Sequence, residues 1–368
     1  MIRIGIIGCG HIAQEIYIPG LVQIGEERVR VVAVFDTMEQ RVREALALAP
    51  GAAGYTTYDT FLQHDGGDGI DLVFNLTPAP LHRDISARAL ETGYHVYSEK
   101  PIASTVEEAT ELSAIADAQG RQLFCAPSTL VTARFRWIRQ MLDLGELGEP
   151  WFAKASIGNM GPAAWASYLG DPRVFYKKGV GPLVDTGVYM LHTITGLLGA
   201  AKRVHAVGGI VYPERPLLIE RFAGQSVTVD TPDLISLNIE LENNRYAHLF
   251  SSFATPATRS PMFELYGKGG AISIARAQWY SGNGGTDIYR QTETTVSQGG
   301  TWEEDVPPPN PLLLGDILGA GILHALDCLE TGEESVITAR HATHVLEIMT
   351  GALRSIETGE PVNIATTL

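Results

Sequence analysis

Asp185, Tyr189 and His192 stand at i, i+4 and i+7 of a stretch, 184–198, whose apolar spacing predicts a helix. That spacing puts a carboxylate, a phenol and an imidazole on one helix face, more than a plain apolar core needs. His192 is the better base near neutrality, whereas Tyr189 would need a nearby cation. A fourth candidate, Lys100, sits in Glu99-Lys100-Pro101, directly after the strand-like YHVYS (94–98). In parallel sheets ligands bind at the carboxyl ends of the strands. A lysine there can polarise a substrate hydroxyl or lower the pKa of a neighbouring acid.

The start of the chain supplies a complementary feature. Gly8-Cys9-Gly10-His11-Ile12-Ala13 lies between the strand-like IRIGII and a predicted helix at 11–24. Gly8 permits a tight turn, Gly10 lets a pyrophosphate approach the backbone, and Ala13 is small where helix meets strand. His11 and Ile12 open the helix, whose first N–H groups are free to meet phosphate. A second strand, VRVVAVF, ends at Asp36, about the spacing expected of a dinucleotide site. Its carboxylate can accept both ribose hydroxyls of NAD and would repel the 2′-phosphate of NADP. No arginine is adjacent, Arg41 lying further into the next helix.

These groups need a scaffold that holds strand ends together. Strand and helix signals alternate from the first residue to QLFCA (122–126), which implies a parallel sheet covered on both faces. Further on, WFAKASIG, RVHAVGGIVY, LISLNIEL, YAHLFSSF, MFELYG and AISIA are strand-like and separated by short turns, ENNR being a hairpin turn. The expected fold class is therefore α/β, a doubly wound Rossmann domain at 1–126 followed by an α/β domain at 127–368 with a large, mostly antiparallel open sheet. The closing helix, about 338–357, is expected to pack back near the first domain. Residues 282–300 and 305–311 read as surface loops.

The whole-chain properties set limits. With 368 residues, 45% apolar and 19% charged, the chain has length for two cores. A net charge of −15 argues against nucleic acid and anionic membranes as partners. The longest apolar runs, around 188–201 and 312–329, are too short to span a bilayer. Cys9, Cys125 and Cys328 are scattered and unpaired in spacing, so neither a disulfide framework nor a zinc site is expected, and a cytoplasmic location fits best.

The stretch 75–105 contains Thr77-Pro78, His82, the GYHV at 93–96 and Glu99-Lys100-Pro101. Together with LGELGEP (144–150), GVGPLVDTGVYMLH (179–192) and HVLEIMTGALRSIETGEPV (344–362), it resembles the Gfo/Idh/MocA oxidoreductase family. Between about 212 and 335 the likeness is one of texture only. The resemblance implies a catalytic Lys100, often before a cis proline, and cofactor contacts from Thr77, Pro78, His82 and Glu99. It also implies an acid/base at Tyr189 and a substrate contact at His192, with Asp185 beside them. The expected reaction is NAD-dependent hydride transfer involving a secondary alcohol of a sugar, polyol or cyclitol, in a homodimer or homotetramer. Alternatives on the same scaffold are a glycosidase that oxidises its substrate transiently with NAD and a non-catalytic NAD-sensing regulator.

Other candidates are weaker. Trp165, Arg173 and Tyr176 precede the GVGP segment and suit either a substrate pocket or loop packing. His341 and His344 have the spacing of a metal pair but no third ligand. Asn75-Leu76-Thr77 is a formal glycosylation sequon at a core strand end.

Overall fold

IRIGII and VRVVAVF have almost no polar face because both sides of their sheet are covered. As strands β1 (Ile2–Ile7) and β2 (Val29–Phe35) they are almost wholly buried. With β3 (Ala53–Tyr55), β4 (Leu72–Asn75), β5 (His95–Ser98) and β6 (Leu123–Cys125) they form a parallel sheet. Its order, β3-β2-β1-β4-β5-β6, is that of the Rossmann fold. The short, half-exposed β3 has no apolar run to betray it.

This computed structural model describes residues 1–64, 69–168, 170–291 and 299–368. The chain divides into two units, one comprising Met1–Val131 and Asp316–Leu346, the other Thr132–Gly315 and Glu347–Leu368. The apolar run at 312–329 supplies the first unit with a helix, Ile317–Thr331. Asp316 caps it, accepting from the N–H groups of Leu318 and Gly319. Among the described residues no helix is long and apolar enough to cross a membrane.

The second unit is built on β7 (Pro150–Gly158), β8 (Ala201–Gly209), β11 (Leu234–Leu241), β12 (Tyr246–Ser252), β13 (Phe263–Gly267), β14 (Gly270–Ile274), β15 (Thr286–Gln291), β16 (Gly300–Val306) and β17 (Val362–Asn363). A small ribbon of β9 (Glu214–Pro216) and β10 (Ser226–Thr228) stands apart. The large sheet runs β16-β15-β14-β13-β7-β12-β11-β8-β17, antiparallel except for the parallel pair β7/β12. Alternation decides its faces. In β11, Ile235, Leu237, Ile239 and Leu241 are buried while Ser236, Asn238 and Glu240 point the other way. The helix Val188–Leu198 packs on β7 and β12. The hairpin at ENNR places Asn243 and Asn244 at φ +57° and +56°, the left-handed pair that a two-residue turn requires.

Two expectations are corrected. Within the expected loops, Thr286–Gln291 is a strand and residues 300 and 305–306 belong to the strand Gly300–Val306, whereas 292–298 lie outside the described residues. β16 is exposed along almost its whole length, so it shows no alternation to read. The helices predicted at 11–24 and 184–198 each include a wider π-turn, Ala13–Tyr17 and Leu183–Gly187, directly before the α-helices Ile18–Ile24 and Val188–Leu198.

Candidate active site

Four strand ends of the first unit carry candidates on the same edge of its sheet: Gly8 after β1, Asp36 after β2, Thr77 after β4 and Glu99 after β5. Gly8 has φ +88°, and a Cβ there would stand 2.8 Å from the Leu76 carbonyl oxygen, so only glycine fits. A Cβ on Gly10 would meet no protein atom within 4 Å. The backbone is therefore open where a pyrophosphate would approach, at the start of the helix that His11 and Ile12 open.

Asp36 is buried and ties this turn to β2. Its Oδ2 accepts from the Cys9 N–H at 3.0 Å and its Oδ1 from the Met38 N–H at 2.9 Å. Arg41, five residues on in the next helix, brings Nη1 to 3.7 Å from Oδ2. Burial, and then the Asp36 charge, push the Cys9 thiol up to about 12, so it is no nucleophile. The residues present fit NAD: a glycine turn and helix start for pyrophosphate, and a carboxylate for ribose.

Around β4 and β5 the side chains hold one another. Asn75 is fully buried. Its Nδ2 donates to the His82 carbonyl at 3.1 Å and to Ser86 Oγ at 2.9 Å, and its Oδ1 accepts from Thr77 Oγ1 at 2.6 Å. The sequon asparagine is thus a structural residue.

His82 is buried, with Nε2 2.7 Å from the Thr77 carbonyl oxygen and Nδ1 2.6 Å from that of Pro101. Both ring nitrogens face protein backbone, so the ring braces two loops. Carbonyls only accept, so both bonds form together only when the ring carries both protons. Burial opposes that charge and holds the His82 pKa below its ordinary value, although the carbonyls and Glu99 pull it back up.

Glu99 is also buried. Its Oε1 accepts from the Tyr17 hydroxyl at 2.6 Å and its Oε2 from the Lys100 N–H at 3.0 Å. Burial, and next the Glu99 charge, raise the Tyr17 pKa well above that of a free phenol, which keeps it a donor. The Lys100–Pro101 bond is cis, as the resemblance implied.

In the second unit, Asp185 lies inside the π-turn and Tyr189 and His192 on the following α-helix. The three do not share one regular helix, as the spacing assumed. Tyr189 and His192 are buried, and Asp185 is half-buried. The Tyr189 ring meets Trp279 edge-on, with centroids 5.9 Å apart. Over the same indole lies the Arg276 guanidinium, 5.6 Å from the ring centroid. Burial lowers the Arg276 pKa, and its guanidinium makes a long 3.4 Å contact to the Gly158 carbonyl. A cation is thereby stacked one ring away from Tyr189.

The weaker candidates separate. Tyr176 is fully buried in a cluster with Ala163, Leu217, Val227, Val229 and Phe253, and its hydroxyl accepts from the Ala163 N–H at 3.0 Å. It is a core residue of that cluster. Arg173 is spent on Asp171 at 2.9 Å, on Gln225 and on the Phe222 ring, which is loop packing. Trp165 is half exposed and packs beside Tyr168. Among the described residues no group of three or more His, Cys, Asp or Glu is arranged to hold a metal ion. Sequence reasoning missed Tyr17, Trp279 and Arg276. Tyr17 lies on a helix of unremarkable pattern, and the other two fall where the likeness is only textural.

Comparison with known proteins adds an independent line. A model described as an oxidoreductase family with an NAD-binding Rossmann fold matches residues 2–126, and a Gfo/Idh/MocA C-terminal-domain model matches 135–273. The chain is 31% identical over 214 residues to a dTDP-3,4-didehydro-2,6-dideoxy-alpha-D-glucose 3-reductase of Actinomadura kijaniata, covering 58% of this chain and 60% of that one. It is 27% identical over 261 residues to the D-glucoside 3-dehydrogenase of Escherichia coli, covering 69% and 70%. The match thus spans 60% of the length of the first of these relatives. A solved levoglucosan dehydrogenase in complex with NADH has a TM-score of 0.83 at 19% identity, with 99% of each chain covered, a likeness of fold. With models of the family's N-terminal and C-terminal domains both matched, over residues 2–126 and 135–273, the chain belongs to the Gfo/Idh/MocA oxidoreductase family.

Proposed function

We propose that the protein is an NAD-dependent dehydrogenase that moves a hydride between nicotinamide and a secondary alcohol of a sugar, polyol or cyclitol. The observation that carries this reading is the placement of Lys100. It stands at the carboxyl end of β5, on the sheet edge that also presents Gly8, Gly10 and Asp36, with Glu99 buried beside it. The named activities of the D-glucoside 3-dehydrogenase and the dTDP-sugar 3-reductase, which resemble this chain, support a sugar-like substrate.

When bound, NAD supplies the hydride acceptor or donor. This chain's part is to hold the cofactor through the glycine turn and Asp36 and to move the proton of the substrate hydroxyl. Lys100 polarises that hydroxyl, and Tyr189 takes or returns its proton, with Asp185 orienting substrate and His192 binding it or sharing the proton. Arg276, stacked on Trp279, is a cation one ring away from Tyr189. The outer face of the large sheet, where Phe152 pairs with Tyr246 and Tyr266, supports assembly into a homodimer or homotetramer. The three free, buried cysteines suit a reducing compartment.

The test is incubation with NAD and a panel of aldoses, glucosides, inositols and acyclic polyols, followed at the NADH absorbance. Net NADH from at least one substrate, lost in Lys100→Met, is expected. Free sugar released from a glycoside without net NADH would replace this reading with the glycosidase. Tight NAD binding with no turnover of any panel member would favour the regulator.

A further inference from the structure

We propose that Tyr17 and His82 are positioning residues that fix Lys100 from two sides, Tyr17 through Glu99 and His82 through Pro101. The proposal rests on the assignment of Lys100 made above. Glu99-Lys100-Pro101 follows directly from β5, and short strands leave such a turn free to shift unless side chains hold it. Here each residue that flanks Lys100 is gripped. On one side the Tyr17 hydroxyl donates to Glu99 Oε1 at 2.6 Å, while Oε2 of the same carboxylate receives the Lys100 N–H at 3.0 Å. On the other, the Pro101 carbonyl oxygen faces His82 Nδ1 at 2.6 Å, and Nε2 of that ring faces the Thr77 carbonyl at 2.7 Å.

The grips are themselves anchored. Tyr17 comes from the π-turn after the glycine loop, is fully buried, and packs edge-on to Tyr97 with centroids 6.0 Å apart. The Tyr97 hydroxyl is hydrogen-bonded to Ser128 Oγ at 2.8 Å. A side chain at Gly321 would run into both Tyr97 and Ser128, so the helix Ile317–Thr331 closes over this hydroxyl pair only because that residue is glycine. His82 opens its own helix, and Asn75 holds the carbonyl of His82 itself. The turn that carries Lys100 is therefore fixed through His82 to the helix it opens and to the end of β4, and through Tyr17 to the π-turn after the glycine loop.

The test uses the full chain with NAD. Tyr17→Phe removes one oxygen and keeps the ring. His82→Leu removes the two ring nitrogens that face the carbonyls, and His82→Gln restores N–H donors from one amide. Three readouts are needed: amide exchange of Lys100, NAD affinity, and kcat with KM on a substrate found by the panel. Tyr17→Phe and His82→Leu are expected to speed Lys100 amide exchange about tenfold, the worth of one hydrogen bond. They should lower kcat by roughly 10- to 100-fold, the scale of an ångström's misplacement, while KM and NAD affinity stay within about threefold. His82→Gln should recover part of both losses.

Unchanged Lys100 exchange in Tyr17→Phe and His82→Leu would overturn the proposal. So would faster exchange with wild-type kcat. If His82→Leu does not fold, Tyr17→Phe decides alone. Wild-type turnover in Lys100→Met would instead remove the assignment of Lys100, while the exchange readout would still report whether the turn is held.

Discussion

Arg41 Nη1 stands 3.7 Å from Oδ2 of Asp36, five residues earlier and at the end of β2. The pair places a carboxylate, which rejects a 2′-phosphate, beside a guanidinium that would welcome one. Asp36 is buried, and the N–H groups of Cys9 and Met38 hold its carboxylate in place. We expect tighter binding of NAD than of NADP. Asp36→Ser alone should strengthen NADP binding about tenfold, roughly 1.4 kcal/mol, because Arg41 is then left for the phosphate. Calorimetric titration of both cofactors checks this; unchanged NADP affinity in Asp36→Ser would refute it.

The proton assignment separates by variant. Lys100→Met should lose about 10²–10⁴-fold in turnover with NAD binding retained. With Tyr189 as the base, Tyr189→Phe lowers kcat and His192→Asn mainly raises KM. Steady-state kinetics on an identified substrate decides, and the reverse pattern transfers the role to His192.

Buried histidine makes stability depend on pH. Burial, with the neighbouring His344, lowers His341 from an ordinary 6.5 to about 3. The folded state thus resists a proton that the unfolded chain accepts. Stability is full above about pH 6.5 and is lost as pH falls toward 3, at on the order of 1.4 kcal/mol per pH unit from this residue. Thermal melts of wild type and His341→Leu from pH 7 to 4 should show a shallower decline in the variant. Parallel declines would show that His341 titrates normally in the fold.

The outer face of the large sheet predicts assembly. Val207 is 63% exposed, and Ser236 pairs with both it and the half-buried Phe250. Light scattering should give a multiple of 39.8 kDa. Val207→Asp, harmless to a lone chain, should shift the mass toward that of the monomer. A wild-type monomer at micromolar concentration would contradict the expectation.

Much of this protein was legible in its residue order, and for local reasons. Gly8 announces a tight turn because only glycine takes its backbone angle, and the apolar runs of β1 and β2 declare a sheet covered on both faces. Asp36 is found by counting from the glycines. Periodicity reveals β11 because alternate residues face core and solvent. Where environment does not alternate, the signal vanishes: β16 is exposed on both faces and reads as loop. Tertiary structure alone decided which polar groups meet. Tyr17 and Glu99 are 82 residues apart, so nothing local reports that one holds the other. That the His82 ring lies between the carbonyls of Thr77 and Pro101 is likewise not visible in the residue order. Tyr176 and Arg173 look like pocket residues until packing buries one and pairs the other. Sequence periodicity specifies which way a side chain points, whereas its partner is chosen by how distant segments fold together.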